Sequence, residues 1–319
     1  MTKSKETVAA IQVQGLTKSF DELKVLDNLS FNVQGGTICG FVGQNGSGKT
    51  TTMRILATLL KQDTGIVKVF DFDTSNAIDA KQIRHVIAYM PDFFGLYDDM
   101  NAGEYLNFFA STYNIAQSKS KRTTLVNDVL AIVGLTEKRD VLVNDLSRGM
   151  QQRLSLGRCL IHSPKLLLLD EPAAGLDPRA RMELMELLLE LKSMGKTILI
   201  SSHVLRELHD LCDKLIIIEK GRLVFDGTVE DADKKVRNGK TTLKLTLTTN
   251  PPKDAFSPLV TKGWGNVVYT KGNTVTIELI PDVAAADVIQ FCYENGLRVE
   301  EARKNKTGLE EIFMSMTQG

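Results

Sequence analysis

The spacing of apolar and polar residues in the first part of the chain predicts short strands followed by a helix. Residues 11–38 alternate apolar and polar positions around two turn signals, Asp27-Asn28 and Gly35-Gly36, which is typical of antiparallel strands. The apolar run Ile38–Val42 predicts a buried strand, and Thr51–Leu60 has helical spacing. A glycine-rich segment lies between them, so strand, glycine loop and helix follow one another.

A second group of apolar runs predicts the rest of a parallel sheet. Leu166–Leu169 and Thr197–Ile200 are short and apolar, and Arg179–Ser193 between them has helical spacing, which is typical of a strand-helix-strand unit. The pattern before these runs is mostly helical, and we expect a helical subdomain at about residues 95–160. A hairpin is predicted at residues 215–225, around Lys220-Gly221.

The composition changes near Asp233–Lys240, which predicts a linker between two domains. We expect an α/β domain at residues 8–232, a linker at 233–240 and a C-terminal accessory domain at 241–319. The predicted elements of the accessory domain follow the order β-α-β-β-α-β, with a further helix at Gly308–Met316. This is the order of a ferredoxin-like split βαβ unit, so we expect a small α+β fold there.

Composition narrows the classes of protein to which the chain can belong. Its 39 basic and 39 acidic residues give a formal net charge of zero, which provides no argument for a nucleic-acid surface. No apolar run approaches the ~20 residues that cross a bilayer, so we expect any membrane role to come through a partner. The four cysteines lie far apart without a Cys-x-x-Cys pair, which favours a reducing cytoplasm.

The glycine-rich segment has the pattern of a phosphate-binding loop, Gly43-Gln44-Asn45-Gly46-Ser47-Gly48-Lys49-Thr50. Glycines let the backbone curl around a phosphate with its N–H groups pointing inward, and the following helix adds its positive end. We expect Lys49 to bridge the β- and γ-phosphates, Thr50 to offer its hydroxyl to Mg²⁺ and Thr51 to reach the α-phosphate. The alternative is a glycine-rich turn with a coincidental lysine.

Two adjacent carboxylates, Asp170 and Glu171, end the apolar strand Leu166–Leu169. Side chains alternate along a strand, so the two carboxylates point in different directions. We expect Asp170 to hold Mg²⁺ through water, and Glu171 to face the γ-phosphate and polarise the attacking water. Two acids beside an apolar strand are costly to bury without a metal or polar partners. A solvent-exposed strand end capped by acids is the alternative.

His203 follows Ser201 and Ser202 at the end of the predicted strand Thr197–Ile200. A histidine after a strand is more often structural than catalytic. Its position downstream of the acidic pair, however, lets it meet the same γ-phosphate, where it can donate a hydrogen bond and orient Glu171. We therefore expect His203 to act in catalysis with Lys49 and Glu171.

The segment Leu146-Ser147-Arg148-Gly149-Met150 lies shortly before the acidic pair. It resembles the Leu-Ser-Gly-Gly-Gln signature of the ATP-binding-cassette (ABC) family, and the resemblance covers about residues 11–230. It implies a P-loop NTPase fold of the ABC type, with an antiparallel β subdomain and a helical subdomain. It also implies ATP and Mg²⁺ as cofactors, and hydrolysis of ATP as the reaction.

The resemblance further implies that two ATPase subunits close on two nucleotides. Ser147 and Gly149 begin a helix whose free N–H groups suit a γ-phosphate, and in the family this phosphate belongs to ATP bound at the opposite subunit. Asp177, in Gly175-Leu176-Asp177, resembles the loop that links the two composite sites. Phe20 stands where the family stacks an aromatic ring on adenine, and a core phenylalanine is the alternative.

Two departures from the family pattern concern the parts that face a partner. Arg148 and Met150 replace a glycine and a glutamine of the signature. Asp92 stands where the family usually has a glutamine that touches Mg²⁺ and reports the nucleotide state to the transmembrane partner. Because a carboxylate can still ligate Mg²⁺, Asp92 remains a candidate metal ligand with Thr50 and Asp170.

The motifs and the resemblance favour the ATPase subunit of a membrane transporter. The expected partners are a separate permease and a second copy of the chain or a homologous ATPase subunit, at the cytoplasmic face of the membrane. The tail Gly308–Phe313 resembles the end of ATPase subunits from multidrug, polysaccharide and lipid-type exporters, which favours export. A soluble ABC ATPase that switches a non-membrane partner is one alternative. A non-hydrolysing ATP switch is another, against which Lys49, Asp170, Glu171 and His203 argue.

Overall fold

The part of the chain described by the computed structural model comprises residues 9–92, 95–97, 99–115, 118–204, 208, 210–232, 241–252, 254–280 and 283–305. The chain divides into two units, residues 1–228 and 229–319. The predicted linker at 233–240 and the predicted tail helix Gly308–Met316 lie outside the described residues, and the predicted domain boundaries stay predictions.

A six-stranded sheet forms the centre of the first unit. Along the chain its strands are β3 (Ile38–Val42), β6 (Ile87–Met90), β7 (Leu166–Leu169), β8 (Thr197–Ser202), β9 (Lys214–Glu219) and β10 (Arg222–Thr228). In the sheet they lie in the order β10-β9-β3-β8-β7-β6. Strands β3, β6, β7, β8 and β9 run parallel to one another. Strand β10 pairs antiparallel with β9 and forms the predicted hairpin. All residues of β3, β7 and β8 are buried, as expected for the central strands of a parallel sheet covered on both faces.

A four-stranded antiparallel sheet in the same unit confirms the predicted β subdomain. Its strands are β1 (Ala9–Phe20), β2 (Leu23–Gln34), β4 (Thr64–Val69) and β5 (Phe72–Asp73), in the order β2-β1-β4-β5. The predicted turn at Asp27-Asn28 is wrong, because β2 continues through it. Asn28 takes a positive φ of 55° where the register with β1 shifts, and the chain reverses at Asp21 instead.

The described residues of the first unit also form six α-helices, and polar side chains mark most of their beginnings. They are α1 (Lys49–Leu56), α2 (Ala77–Val86), α3 (Ala102–Thr112), α4 (Lys119–Ile132), α5 (Arg148–Leu160) and α6 (Pro178–Ser193). The side chains of Asn76, Asn101, Ser118, Ser147 and Asp177 accept hydrogen bonds from first-turn N–H groups of the last five helices.

Helix α1 is shorter than its pattern predicts. It begins at Lys49 and ends at Leu56, whereas the apolar spacing continues to Leu60. The helix stops because Thr58 takes a left-handed φ of 58°, which a helix cannot continue through. Among the described residues, no helix is long and apolar enough to cross a membrane.

In the second unit, the described residues from 241 onward form an antiparallel sheet with two helices. Its elements are β11 (Thr241–Leu247), α7 (Ser257–Thr261), β12 (Gly265–Lys271), β13 (Thr274–Leu279), α8 (Ala285–Glu294) and β14 (Val299–Asn305), and the sheet order is β12-β13-β11-β14. The order along the chain is that of a split βαβ unit. Alternate residues of β11 and β13, such as Leu245 and Ile277, point into a core that also contains Leu259 and Phe291.

Candidate active site

The candidate site lies at the carboxyl ends of three adjacent strands of the six-stranded sheet. In the order β3-β8-β7, β3 leads into the glycine-rich loop, β8 ends next to His203, and β7 ends next to Asp170. Parallel strands bring their carboxyl ends to one edge of a sheet, which is where open α/β folds bind ligands. Three segments that are distant in sequence therefore meet at one place.

The glycine-rich loop requires glycine at three of its positions. Gly46 and Gly48 have φ angles of 81° and 105°, which side chains other than glycine rarely adopt. A Cβ on Gly43 would clash with the hydroxyl of Ser47 and would lie 2.6 Å from the carbonyl oxygen of Ile218. The loop can therefore bring its backbone close to a ligand.

Two polar groups of the loop are buried with their functional atoms directed inward. The Lys49 ammonium donates hydrogen bonds to the carbonyl oxygens of Gly43 at 2.6 Å and Gln44 at 3.3 Å, so it is held under the loop. The hydroxyl of Ser47 is buried and has no hydrogen-bond partner in the part of the chain that the structure describes. A buried unpaired hydroxyl is costly, and a bound phosphate oxygen would satisfy it.

Asp170 is fully buried and its carboxylate is held by two hydroxyl groups. Ser201 donates to Oδ1 at 2.6 Å, and the Tyr89 hydroxyl donates to Oδ2 at 3.4 Å. Burial, followed by the negative charge of Asp170, raises the pKa of Tyr89 to about 12, so its hydroxyl keeps its proton. Neither hydroxyl residue was predicted from the sequence to hold Asp170, although Ser201 stands two positions before His203.

Glu171 is the residue at which the three segments meet. Its Oε1 lies 3.4 Å from Nζ of Lys49, and its Oε2 lies 2.8 Å from Nδ1 of His203. The backbone of Glu171 takes a left-handed φ of 48°, and its N–H donates to the Ser201 hydroxyl at 2.8 Å. A non-glycine residue in this region costs on the order of 1 kcal/mol, which the surrounding hydrogen bonds offset.

The residues proposed for Mg²⁺ have the chemistry that this ion prefers. Thr50 and Asp170 supply a hydroxyl and a carboxylate, and a carboxylate has acceptor sites beyond the two hydrogen bonds that Asp170 receives. Within the described residues, no group of three or more His, Cys, Asp or Glu side chains is arranged to hold a metal. Mg²⁺ commonly uses one or two protein ligands together with phosphate oxygens and water, and this donor set fits that mode.

The signature segment begins a helix, as predicted. Ser147 is the N-cap of α5, and its hydroxyl accepts from the Met150 N–H at 3.4 Å. Gly149 packs so closely that a Cβ on it would lie 2.8 Å from Cβ of Ala180 on α6. Asp177 caps α6, accepting from two backbone N–H groups at 3.0 Å, and these bonds lower the pKa of its carboxyl.

Two further candidates lie at or just after the ends of strands. Phe20 ends β1 and is 45% exposed, so the alternative of a core phenylalanine is wrong. The ammonium of Lys18 lies 5.4 Å from the centroid of the Phe20 ring. Asp92 lies two residues beyond the end of β6 and is exposed.

Comparison with known proteins identifies relatives of this chain. The model of the family described as ABC transporter matches residues 26–174. The Nod factor export ATP-binding protein I of Burkholderia pseudomallei is 37% identical over 221 residues, which cover 69% of this chain and 71% of that protein. The linearmycin resistance ATP-binding protein LnrL of Bacillus subtilis is 30% identical over 315 residues, covering 96% and 98%.

Solved structures show the same fold for the first unit. One is described as the dimeric structure of a post-hydrolysis state of the ATP-binding cassette MJ0796 bound to ADP and Pi. It is 25% identical, covers 69% of this chain and 98% of its own, and superposes with a TM-score of 0.62. The fold class predicted from the motifs is thereby confirmed for the nucleotide-binding part.

Proposed function

Because this chain belongs to the ABC transporter family of ATP-binding proteins and is an ATPase, we propose that it drives a separate membrane permease as its ATP-hydrolysing subunit. The observation that carries the hydrolytic part of the proposal is the position of the Glu171 carboxylate between Lys49 and His203, at 3.4 Å and 2.8 Å. A carboxylate next to the phosphate-binding lysine is placed to act on water that attacks a γ-phosphate.

Each residue of the site then has a distinct task. Backbone N–H groups of residues 43–50 and the first turn of α1 hold the phosphates, and Lys49 neutralises the β- and γ-phosphate charge. Glu171 accepts a proton from the attacking water, while His203 fixes the carboxylate through Oε2. Thr50 and Asp170 would hold Mg²⁺, with Asp92 as a further candidate, and the ion supplies charge stabilisation to the phosphates.

The proposed working form is a head-to-tail dimer. Ser147 and the N–H groups at the start of α5 are placed at a helix N-terminus, which suits the γ-phosphate of ATP on a second subunit. Asp177 would lie where the two composite sites communicate, and Phe20 would stack on adenine. Support comes from the dimeric, ADP-bound and Pi-bound state described for a similar cassette. The second subunit is another copy of this chain or a homologous ATPase subunit.

Export is the proposed direction of transport. One relative is named for Nod factor export and another for linearmycin resistance, and both names are compatible with movement of a compound out of the cell. We place the chain at the cytoplasmic face of the membrane, in contact with its permease. Nucleic acid has no part in this proposal.

The dimer is tested with Glu171→Gln in the full chain. We expect this variant to bind ATP, to hydrolyse it roughly 10²–10⁴-fold more slowly, and to accumulate as a dimer with ATP on light scattering. Glu190→Gln on α6 is the matched control and should behave as the wild type. Hydrolysis by the Glu171 variant at the wild-type rate would show that Glu171 is not the general base.

The transporter role is tested separately from the dimer. The chain is co-expressed with a candidate permease, and the purified pair is reconstituted into lipid vesicles. We expect the rate of ATP hydrolysis to rise when the membrane protein is present. We also expect the amount of the transported compound inside the vesicles to change when ATP is added. ATP hydrolysis and dimerisation that do not respond to the membrane protein would favour a soluble switch.

A further inference from the structure

The side chain of Arg148 crosses from the start of α5 to the segment that follows Glu171. Its Nη2 donates to the carbonyl oxygen of Ala174 at 3.2 Å. A Cβ built on Gly175 would lie 2.6 Å from Cζ and Nη2 and 2.9 Å from Nη1 of Arg148. The guanidinium group therefore lies directly against the bare Cα of Gly175, which has a left-handed φ of 70°.

A second side chain of α5 holds the same segment nearer its beginning. The amide nitrogen of Gln152 donates to the carbonyl oxygen of Pro172, and Gln152 is buried, with only 4% of its surface exposed. Two side chains one helical turn apart thus donate hydrogen bonds to carbonyl oxygens of the segment between Glu171 and Asp177. The close approach of Gly149 to Ala180 lets α5 come near enough for these contacts.

These contacts join two parts of the chain that act on different nucleotides in the proposed dimer. The start of α5 faces ATP on the opposite subunit, whereas Glu171 acts on ATP bound to its own phosphate loop. The segment from residue 172 to 176 connects Glu171 to Asp177, and its conformation sets where the Glu171 carboxylate lies. Any shift of α5 is passed to this segment through Arg148 and Gln152.

We propose that Arg148 is a positioning residue that couples the signature segment to Glu171 within one chain. This inference rests on the proposed dimeric function. A glycine, which stands at this position in the family signature, has no side chain that could reach Ala174. The planar guanidinium both donates to the Ala174 carbonyl and covers Gly175, and the ammonium of lysine can do only the first.

The competing role for Arg148 is direct contact with the γ-phosphate of ATP on the second subunit. Lysine would serve that role, because a single cationic group is enough to bind a phosphate. A positioning role predicts a different result. Removal of Arg148 should lower kcat with little change in the KM for ATP, because the ground-state contacts of the nucleotide are retained.

The test compares Arg148→Gln and Arg148→Lys with Arg153→Gln in the full chain. Arg153 is on the same helix but contacts the carbonyls of Val133 and Gly134 and the carboxylate of Glu183, so its variant reports general loosening of α5. We expect both Arg148 variants to lose about ten- to a hundredfold in kcat with unchanged KM. Arg153→Gln should keep its kcat. Rescue by lysine, or equal losses in the Arg148 and Arg153 variants, would overturn the proposal.

A double-mutant cycle tests the contact with Gly175 itself. Gly175→Ala adds a Cβ that clashes with the guanidinium, so it should lower kcat more when Arg148 is present than in an Arg148→Gly background. Strain at the positive φ is common to both backgrounds and cancels in the comparison. Additive losses would show that the two residues do not act through each other.

Failure of this inference is distinguishable from failure of the dimeric function. Glu171→Gln should form an ATP-dependent dimer, and adding Arg148→Gln should leave its ATP dependence unchanged. If the single variant does not dimerise, the dimeric function is wrong. If only the double variant fails to dimerise, Arg148 contributes to the dimer interface and the positioning role is wrong.

Discussion

The ammonium nitrogen of Lys49 lies 3.4 Å from Oε1 of Glu171, although β8 separates the strands from which the two residues emerge. Both side chains are largely buried, with 6% and 16% of their surface exposed. Each charge therefore compensates the other in a place where an isolated charge would be costly. The pair also places the phosphate-binding cation and the general base within reach of one phosphoryl group.

Replacement of Lys49 by alanine should abolish nucleotide binding. The variant removes the cation of the loop, its hydrogen bonds to the carbonyls of Gly43 and Gln44, and the partner of a buried carboxylate. Loss of a desolvated charge contact between the lysine and the phosphates costs about 2–5 kcal/mol, which corresponds to a rise of roughly thirtyfold or more in the Kd for ATP. Titration calorimetry measures it directly.

Lys192→Ala is the control for the Lys49 variant. Lys192 forms an ion pair with Asp213 at 2.6 Å on the surface, so its loss tests removal of a lysine charge away from the loop. We expect ATP affinity close to that of the wild type. Undiminished binding by Lys49→Ala would refute the assignment of the phosphate loop.

His203 should affect the rate of hydrolysis rather than the binding of ATP. Its Nδ1 lies 2.8 Å from Oε2 of Glu171, so His203→Ala leaves the carboxylate free to rotate away from the attacking water. Because misplacement of a reacting group by about 1 Å costs up to 10²-fold, we expect kcat to fall ten- to a hundredfold. Single-turnover kinetics with saturating ATP measures the chemical step.

A conservative replacement tests whether a hydrogen-bond donor to Glu171 is enough at position 203. His203→Gln keeps a neutral hydrogen-bond donor towards Oε2 and should recover part of the lost rate. His85, which is in α2, serves as the control histidine, and His85→Ala should have the wild-type rate. If His203→Ala has the kcat of the wild type as well as its Kd for ATP, His203 is not part of the catalytic group.

The convergence of Lys49, Glu171 and His203 could be predicted from the sequence because each follows an apolar run of strand length. Parallel strands share one edge for their carboxyl ends, so the order of motifs already placed them together. The partners of Asp170 could not be predicted in this way. They depend on strand register, since the pairing of Leu169 with Ile200 brings Asp170 beside Ser201.

Local departures from regular structure account for the parts of the fold that the pattern misplaced. Asn28 and Thr58 take positive φ angles of 55° and 58°, one inside a strand and one just after a helix. Asparagine tolerates this conformation, so Asp27-Asn28 has the composition of a turn but forms an irregularity within β2. Pairing with β1 stabilises the continued strand over a turn at this position.

Phe20 should contribute to nucleotide affinity but not to the stability of the fold. Its ring is 45% exposed at the end of β1, and aromatic stacking contributes about 0.5–1.5 kcal/mol. Phe20→Ala should therefore raise the Kd for ATP by roughly two- to tenfold, and Phe20→Trp should keep or lower it. Fluorescent ATP displacement measures both.

Leu23 is the matched control, because it pairs with Phe20 across the hairpin and is 69% exposed. Leu23→Ala should leave the Kd unchanged. Surface replacements of this kind change the free energy of unfolding by no more than about 0.5 kcal/mol, so both variants should unfold as the wild type does. A Kd for Phe20→Ala equal to that of Leu23→Ala would rule out stacking on adenine.

His162 should make the stability of the first unit depend on pH. Its Nε2 lies 2.7 Å from the carbonyl oxygen of Ile87, its ring stacks on Tyr113 with centroids 4.7 Å apart, and burial lowers its pKa below the usual 6.5. The unfolded chain therefore takes up a proton at this histidine before the folded chain does. The stabilisation contributed by neutral His162 is therefore fully present above about pH 6.5, and it decreases as the pH falls below that value.

The measurement is urea unfolding followed by circular dichroism between about pH 7.5 and pH 5.5. His162→Gln can still donate to the Ile87 carbonyl but cannot titrate, so its unfolding free energy should lose less on acidification than that of the wild type. If His162→Gln loses as much unfolding free energy on acidification as the wild type does, the acid sensitivity belongs to groups other than His162.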